Sequence, residues 1–325
     1  EILGGDVLPP PFPTLRRLAL QYLSTGRHYV AETVHGCLAL EELTVIGTPD
    51  HPPFLDVTML GSGHLAQTLR VLRLVTHRLP TNGEPQWSSF QRLEQLSLLR
   101  VRAMSLTYLR RTLDDLSHLP ALRGLDLRWT ETLIGAVKLP GWARIERLER
   151  LGTSIGPFLS SLSESSVPLP ALRHLSLAGV ATPGQHRALV DSHGSRAPSL
   201  ERLDLHVDSS PTITGLWADA LDDWPRLHTL TLPANMLRRP EAVARWVRSP
   251  VFRGLKTLVL HGGSPGLRPL AEGMAEAGMS PRIVCDLGMR SGAVDLLRRA
   301  GFCVDRVDDL GAAVDDRDWS APDLR

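Results

Sequence analysis

Leucines recur along this chain in a six-residue pattern, Leu-x-x-Leu-x-Leu, in which valine or isoleucine sometimes replaces a leucine. The clear copies lie 24 to 29 residues apart, except for one gap of 50 residues between Leu122 and Leu172. That gap has room for two repeats, and the weakened copy is either Leu148-x-x-Leu151 or the overlapping Ile145-x-x-Leu148. Unrelated buried strands would not be so regular, so the pattern predicts a repeat protein. The nine clear copies begin at Leu15, Leu40, Leu69, Leu93, Leu122, Leu172, Leu200, Leu227 and Leu255.

Each copy predicts one short strand. Alternate side chains of a strand face opposite ways, so we expect the leucines to point into a shared core and the residues between them to point away. One repeat cannot bury its leucines alone, and stability therefore comes from stacking on the neighbouring repeats. Segments between the strands carry apolar residues at helical spacing, over 105–119, 214–224, 240–247, 267–278 and 291–301. Each repeat is therefore predicted to consist of one parallel strand and one helix.

On these residues the chain resembles the leucine-rich-repeat superfamily, nearest to its ribonuclease-inhibitor-like class, and in particular the divergent members from high-GC bacteria. The resemblance implies an α/β solenoid, or horseshoe, of about 10–12 repeats, with parallel strands on the concave face and helices on the convex face. One feature departs from the family. Its consensus places Asn or Cys three residues after the last leucine, and here Asn235 alone matches, so irregular repeat geometry is expected.

The domain organisation predicted is a single solenoid domain over 1–300, followed by a capping strand and an Asp-rich tail over 301–325. Within it, 280–288 can supply a further strand with Ile283 and Cys285 facing inward, and 301–309 the terminal one. The chain begins at Glu1 rather than at a methionine. Whether it is a fragment of a larger protein is left open.

The composition of the chain limits the kinds of partner that we expect. Lys and Arg number 36 against 35 Asp and Glu, which leaves a net charge of +1 and no field that attracts nucleic acid or a membrane surface. The three cysteines form no CxxC pair and no disulfide framework, as is typical of a reducing compartment. No apolar run reaches the roughly 18 residues of a membrane helix, and no signal peptide is visible. We therefore expect a cytoplasmic bacterial protein.

The strand positions between the leucines are the candidate functional surface. Arginine, tryptophan and charged partners on a rigid sheet dominate many protein interfaces, although a merely solvated sheet surface is the alternative reading. The strongest cluster joins Arg128, Trp129, His174, Arg202, Asp204 and His206. The full outward set also includes Arg17, Glu42, Ser176 and Thr231. The predicted partner-binding residues are Arg73, Asp126, Arg128, Trp129, His174, Arg202, Asp204, His206 and His261.

Catalytic interpretations of these residues have less support. His174, His206 and His261 could be imagined as metal ligands, but no single element carries ligand spacing. Ser176 near His174 and Asp204 could be imagined as a hydrolytic triad, but there is no nucleophile elbow. No glycine-rich phosphate loop is present. We expect no enzyme, cofactor, metal or small-molecule substrate, and predict a protein-binding scaffold module. The alternative is a sensor or autoinhibitory domain of a larger bacterial signalling or defence protein whose effector domain lies elsewhere.

Overall fold

The structure is a computed structural model of all 325 residues, and it divides into two compact units, Glu1–Leu169 and Pro170–Arg325. Each unit is described by itself. The prediction of one domain through residue 300 stays a prediction. The residues described are 12–21, 34, 36–47, 60, 63–76, 78–79, 86–99, 102–103, 111–112, 114–128, 131–132, 146–154, 169–179, 182–184, 186–187, 190, 197–207, 210–262, 266–286 and 289–307.

Among its described residues, the first unit contains six parallel strands that pair in chain order. They are β1 (Arg17–Gln21), β2 (Glu42–Ile46), β3 (Val71–Val75), β5 (Gln95–Leu99), β7 (Gly124–Leu127) and β9 (Arg150–Ser154). Three two-residue strands form a second small parallel sheet, β4 (Arg78–Leu79), β6 (Arg102–Ala103) and β8 (Glu131–Thr132). A short helix, α1 (Leu65–Thr68), directly precedes β3.

The second unit repeats the arrangement with better-formed helices. Its strands, again parallel and in chain order, are β10 (His174–Gly179), β11 (Arg202–Val207), β12 (Thr229–Pro233), β13 (Thr257–His261), β14 (Arg282–Asp286) and β15 (Val304–Val307). The connecting helices are α2 (Pro211–Ala220), α3 (Pro240–Arg248), α4 (Pro250–Arg253), α5 (Arg268–Glu276) and α6 (Ser291–Arg299), with 3-10 turns at Leu221–Asp223 and Ala234–Leu237. Strand, helix and parallel strand in succession make this an α/β repeat-solenoid arrangement.

The leucines of the repeat pattern form the core of both units. In the second unit Leu175, Leu203, Leu230, Leu258 and Ile283 lie opposite one another in consecutive strands, and every one is at most 1% exposed. The first unit has the same column, which runs through Leu18, Leu43, Leu72, Leu96, Leu125 and Leu151. Burying a leucine side chain is worth about 1.5–3 kcal/mol. Stacking in register therefore holds successive repeats together, as the pattern predicts.

A tight turn introduces most of the strands. The first leucine of a motif donates its N–H to the carbonyl three residues earlier, as Leu93 does to Phe90, Leu227 to Trp224 and Leu255 to Phe252. A proline often follows that acceptor, as Pro225 does after Trp224. Because proline ends a helix and favours extended backbone, this turn sets the start of the strand.

The helices begin where the sequence indicates. Proline occupies a first-turn position of α2, α3, α4 and α5, where its missing N–H costs nothing. The Ser210 side chain also accepts a hydrogen bond from the N–H of Ile213 and caps α2. Helices α3 and α5 approach closely, because a Cβ at Gly273 would stand only 2.7 Å from Cγ1 of Val243. No helix of the described residues is long and apolar enough to cross a membrane.

Most of the predicted elements are confirmed. Strand β9 contains Leu151, which pairs with Leu125 of β7, so the degraded copy is Leu148-x-x-Leu151. Strands β14 and β15 are the two predicted C-terminal strands. The helices expected over 214–224, 240–247, 267–278 and 291–301 are present with shifted ends. Part of the segment 105–119 lies outside the described residues, as does the Asp-rich tail after Val307.

Replacing Leu175 with Asp should unfold the second unit. The substitution places a charge in the middle of the stacked leucine column, at a loss of more than about 4 kcal/mol of unfolding free energy. Chemical denaturation followed by circular dichroism measures the loss. Ala244→Asp, at an exposed position of α3, is the matched control and should be nearly neutral. A cooperative wild-type-like transition in the Leu175 variant would contradict the assignment of that side chain to the core.

Candidate functional site

The candidate site is the strand face that lies opposite the leucine core, called here the polar face. It carries the residues that alternate with the leucines. In the second unit these form rows across neighbouring strands, because the strands pair in register. The rows are His174–Arg202–Thr229–Thr257–Arg282, then Ser176–Asp204–Thr231–Val259–Val284, with His206 and His261 beyond them.

Asp204, in the middle of β11, is the centre of the polar face in the second unit. Its side chain is buried, and polar groups of three strands surround it. His174 Nε2 lies 2.6 Å from Oδ2, and Arg202 Nε donates to the same carboxylate at 3.0 and 3.1 Å. The Thr231 hydroxyl donates to Oδ1 from β12. The carboxylate therefore ties β10, β11 and β12 together on this face.

The charge of Asp204 is stabilised despite its burial. Burial by itself raises the pKa of a carboxyl group, but here the charges of Arg202, His174 and His206 and the hydrogen bond from His174 outweigh it. They hold the pKa of Asp204 well below its usual range. An anion so completely engaged is a fixed anchor for its neighbours and a poor proton acceptor at neutral pH.

Two histidines extend the network along the same face. The rings of His206 and His261 lie with their centroids 4.7 Å apart at an interplanar angle of 32°. His261 Nε2 is 2.9 Å from the Leu205 carbonyl oxygen, to which it donates. Burial lowers the pKa of His261, and the Leu205 carbonyl and the charges of Asp286 and Asp204 only partly oppose that effect. His261 is therefore held in its neutral form at neutral pH.

The first unit contains a separate buried ion pair on its own polar face. Arg128 donates to Asp126 from Nε at 3.0 Å, from Nη2 at 2.7 Å and from its backbone N–H at 3.0 Å. Both side chains are at most 2% exposed. Gly152 lies opposite Asp126 on β9, and a Cβ at that position would overlap the Asp126 carboxylate and come within 3.2 Å of Arg128 Nε. The absent side chain of Gly152 thus makes room for the pair.

The structure revises how the predicted site residues are presented. Asp126, Arg128, His174, Ser176, Asp204 and Thr231 lie on the polar face as expected, but they are buried rather than exposed to solvent. The cause is the spacing of the strands, about 4.8 Å, which lets the polar side chains bond to one another. Arg73, Arg202, His206 and His261 are half-buried. Trp129 lies outside the described residues. The prediction that this set binds a partner stays a prediction.

The structure brings His174, Arg202, Asp204, His206 and His261 together within the second unit. Asp126 and Arg128 form their own pair in the first unit, and Arg73 lies two strands before them on β3. The described residues hold no group of three or more His, Cys, Asp or Glu side chains placed to bind a metal ion.

A second charged feature, at the strand starts, is not among the predicted site residues. The second position of each motif alternates between arginine and glutamate over eight repeats, and these residues pair as Arg16–Glu41 at 3.4 Å, Arg70–Glu94 at 2.9 Å, Arg123–Glu149 at 2.7 Å and Arg173–Glu201 at 3.5 Å. We call this column the charge ladder. The signal is visible once the repeats are aligned, since the column reads Arg16, Glu41, Arg70, Glu94, Arg123, Glu149, Arg173, Glu201, His228 and Lys256.

Comparison with known proteins adds little. No known protein family and no curated protein sequence matches this chain. Among solved structures, it is similar to the crystal structure of a Bacteroides fragilis protein from a structural genomics consortium, at 15% sequence identity and a TM-score of 0.45. The match covers 82% of this chain and 66% of that one, just under two thirds of its length. A likeness of this size carries no conclusion about function.

Replacing Gly152 with Ala should lower the free energy of unfolding by about 1–3 kcal/mol, because the new methyl group displaces a buried, fully bonded carboxylate. Denaturant titration measures the change. Gly292→Ala in α6 is the matched control, since nothing lies within 4 Å of its added Cβ. Equal stability of the two variants would mean that the Asp126–Arg128 pair can shift freely.

Stability should also fall on acidification, in part through His261. Its pKa in the folded chain is below the unfolded value near 6.5, so its contribution is complete above that pH and is lost as the pH falls below it. The difference in unfolding free energy between the wild type and His261→Gln should therefore be largest at pH 7.5 and shrink by pH 5.5. A constant difference over that range would show that His261 titrates alike in the folded and unfolded chains.

Proposed function

We propose that this chain is a non-catalytic protein-binding module of the leucine-rich-repeat class, which holds a protein partner against the polar face of its strands. The class assignment is supported by the Leu-x-x-Leu-x-Leu motifs, whose leucines stack in register from strand to strand. The polar face corresponds to the concave face of that class. The missing asparagines of the consensus are the one departure.

The observation that carries the proposal is the arrangement around Asp204. Arg202, His174 and Thr231 are fixed on one buried carboxylate, and the half-buried Arg202 among them is a residue type enriched at protein interfaces. Side chains that are already ordered lose little conformational entropy on association. A surface of this kind favours binding of a partner with a complementary surface over catalysis.

The same geometry argues against an enzyme. Asp204 is bonded from three strands and its pKa is held low, so it does not serve as a general base near neutral pH. Ser176, between His174 and Asp204 on the face, is completely buried and so is shielded from any substrate. A cofactor is not part of the proposal, and the balanced charge of the chain favours a protein over a nucleic acid. A cytoplasmic, bacterial setting remains the expectation from the sequence.

The proposal is tested by blocking the polar face with a bulky side chain. Val284 on β14 is half-buried on that face, and Val284→Trp keeps a strand-forming residue there while it adds a large obstacle. The immobilised chain is used to capture proteins from extracts of its source organism, followed by mass spectrometry. A true partner should be lost with Val284→Trp and kept with the control Asp295→Trp, at an exposed position of α6.

Equal capture by both tryptophan variants would move the binding surface away from the polar face. Capture of no protein at all by the folded wild-type chain would count against a protein-binding module.

A further inference from the structure

The charge ladder changes character in the second unit. Through Glu201 each arginine of the column is followed by a glutamate, and the described pairs are ion-paired. The next two positions are His228 and Lys256, so the expected alternation of basic and acidic residues stops there. Lys256 is one of only two lysines in the whole chain. It is exposed, and no acidic group of the described residues pairs with it.

Register places these two residues side by side. The His228 carbonyl accepts hydrogen bonds from the N–H groups of Lys256 at 2.9 Å and Thr257 at 3.1 Å, and the Lys256 carbonyl accepts one from Arg282 at 2.9 Å. Thr229 and Thr257, the next residues of β12 and β13, are paired neighbours on the polar face. The starts of β11 to β14 thus bring basic and hydroxyl residues to the same edge of the sheet, and we call this set the basic strip: Arg202, His228, Thr229, Lys256, Thr257 and Arg282.

We propose that the basic strip docks an acidic peptide segment of the protein partner. This inference rests on the proposed function and names the chemistry that the partner presents. Lys256 supplies the uncompensated charge. Thr229 and Thr257 supply hydroxyl donors, and His228 Nδ1 already contacts Thr229 Oγ1 at 3.1 Å. Carboxylates accept hydrogen bonds from all of these groups.

The arginines at either end of the basic strip are held in place. Arg202 is bound to Asp204, and Arg282 Nε donates to Asp305 at 2.5 Å. These two pairs frame the strip without adding net charge. Of the other acidic groups nearby, Glu201 pairs with Arg173, whereas Asp222 accepts a hydrogen bond from the neutral Ser249 hydroxyl and keeps its charge. Asp223 is exposed at the turn before β12. Within the basic strip itself, the charge without an acidic partner among the described residues is that of Lys256.

The size of the basic strip fits a short segment. Four strands about 4.8 Å apart span about 14 Å, and an extended peptide places alternate side chains about 7 Å apart. Three acidic side chains at alternate positions, in a segment of about five residues, would cover the strip. A nucleic acid fits less well, because its binding depends on many phosphate contacts and the strip has one uncompensated lysine.

The test is fluorescence anisotropy of the full chain with a fluorescein-labelled peptide, Glu-Ser-Glu-Ser-Glu, at low ionic strength, with Lys-Ser-Lys-Ser-Lys as the opposite probe. Lys256→Glu should weaken binding of the acidic peptide by at least about five-fold, because a charge that attracts the peptide is reversed. Arg299→Glu makes the same change of charge at an exposed position of α6 and should leave binding unchanged. Circular dichroism establishes that each variant is folded.

A second variant guards against a local effect of the single substitution. His228→Arg combined with Lys256→Glu continues the alternation of the charge ladder. This double variant should have balanced charges at the strand starts and should not bind the acidic peptide. Absence of wild-type binding to the acidic peptide, or equal weakening by Lys256→Glu and Arg299→Glu, would overturn the inference. So would binding of a labelled oligothymidine that Lys256→Glu abolishes, which would indicate a nucleic-acid ligand.

The two proposals fail in different ways. If a captured partner is lost with Val284→Trp but kept with Lys256→Glu, protein binding on the polar face stands and the acidic segment is wrong. If neither substitution affects capture, the polar face itself is wrong.

Discussion

The fold of the described residues depends on the hydrophobic stacking of one leucine on the next across parallel strands. A single repeat buries too little apolar surface to fold, and it becomes stable only when its leucines lie against those of its neighbours. The register that results is the same from Leu43 to Leu72 to Leu96 in one unit and from Leu203 to Leu230 to Leu258 in the other. Because side chains alternate along a strand, that register also fixes which polar residues become neighbours on the opposite face.

The polar face results from the same register as the leucine column, but its side chains interact through ion pairs and hydrogen bonds. Asp204 is buried because Thr231 and His174 lie on the strands at either side, and it stays charged because Arg202 is two residues away on the same strand. Removing one partner of such a cluster costs more than the contact itself is worth, since it leaves a buried charge without compensation. What a binding partner would meet is the rim of this network, the half-buried Arg202, His206 and His261, rather than its centre.

The sequence predicts the fold well and the site less well, and the difference is physical. Strand positions depend on a local pattern repeated many times, so even the weakened copy before β9 could be narrowed to Leu148 or Ile145. Burial on the polar face depends on what the next strand provides. That Gly152 leaves space for Asp126, or that Thr231 bonds to Asp204, requires knowledge of register to the residue. Residue type alone marks arginine and histidine as surface groups, and it does not reveal that Arg128 and His174 are buried by their neighbours on the polar face.

From Arg16 to Glu201, the alternation of the charge ladder makes two repeats, rather than one, the smallest equivalent unit. Loss of a single repeat from its middle would bring arginine beside arginine or glutamate beside glutamate, and like charges on adjacent strands repel. Loss or gain of two repeats between Arg16 and Glu201 would leave the alternation of charge unchanged. The array can therefore change its length without bringing like charges together only in steps of two repeats. This constraint is imposed by side chains that contribute little to the core.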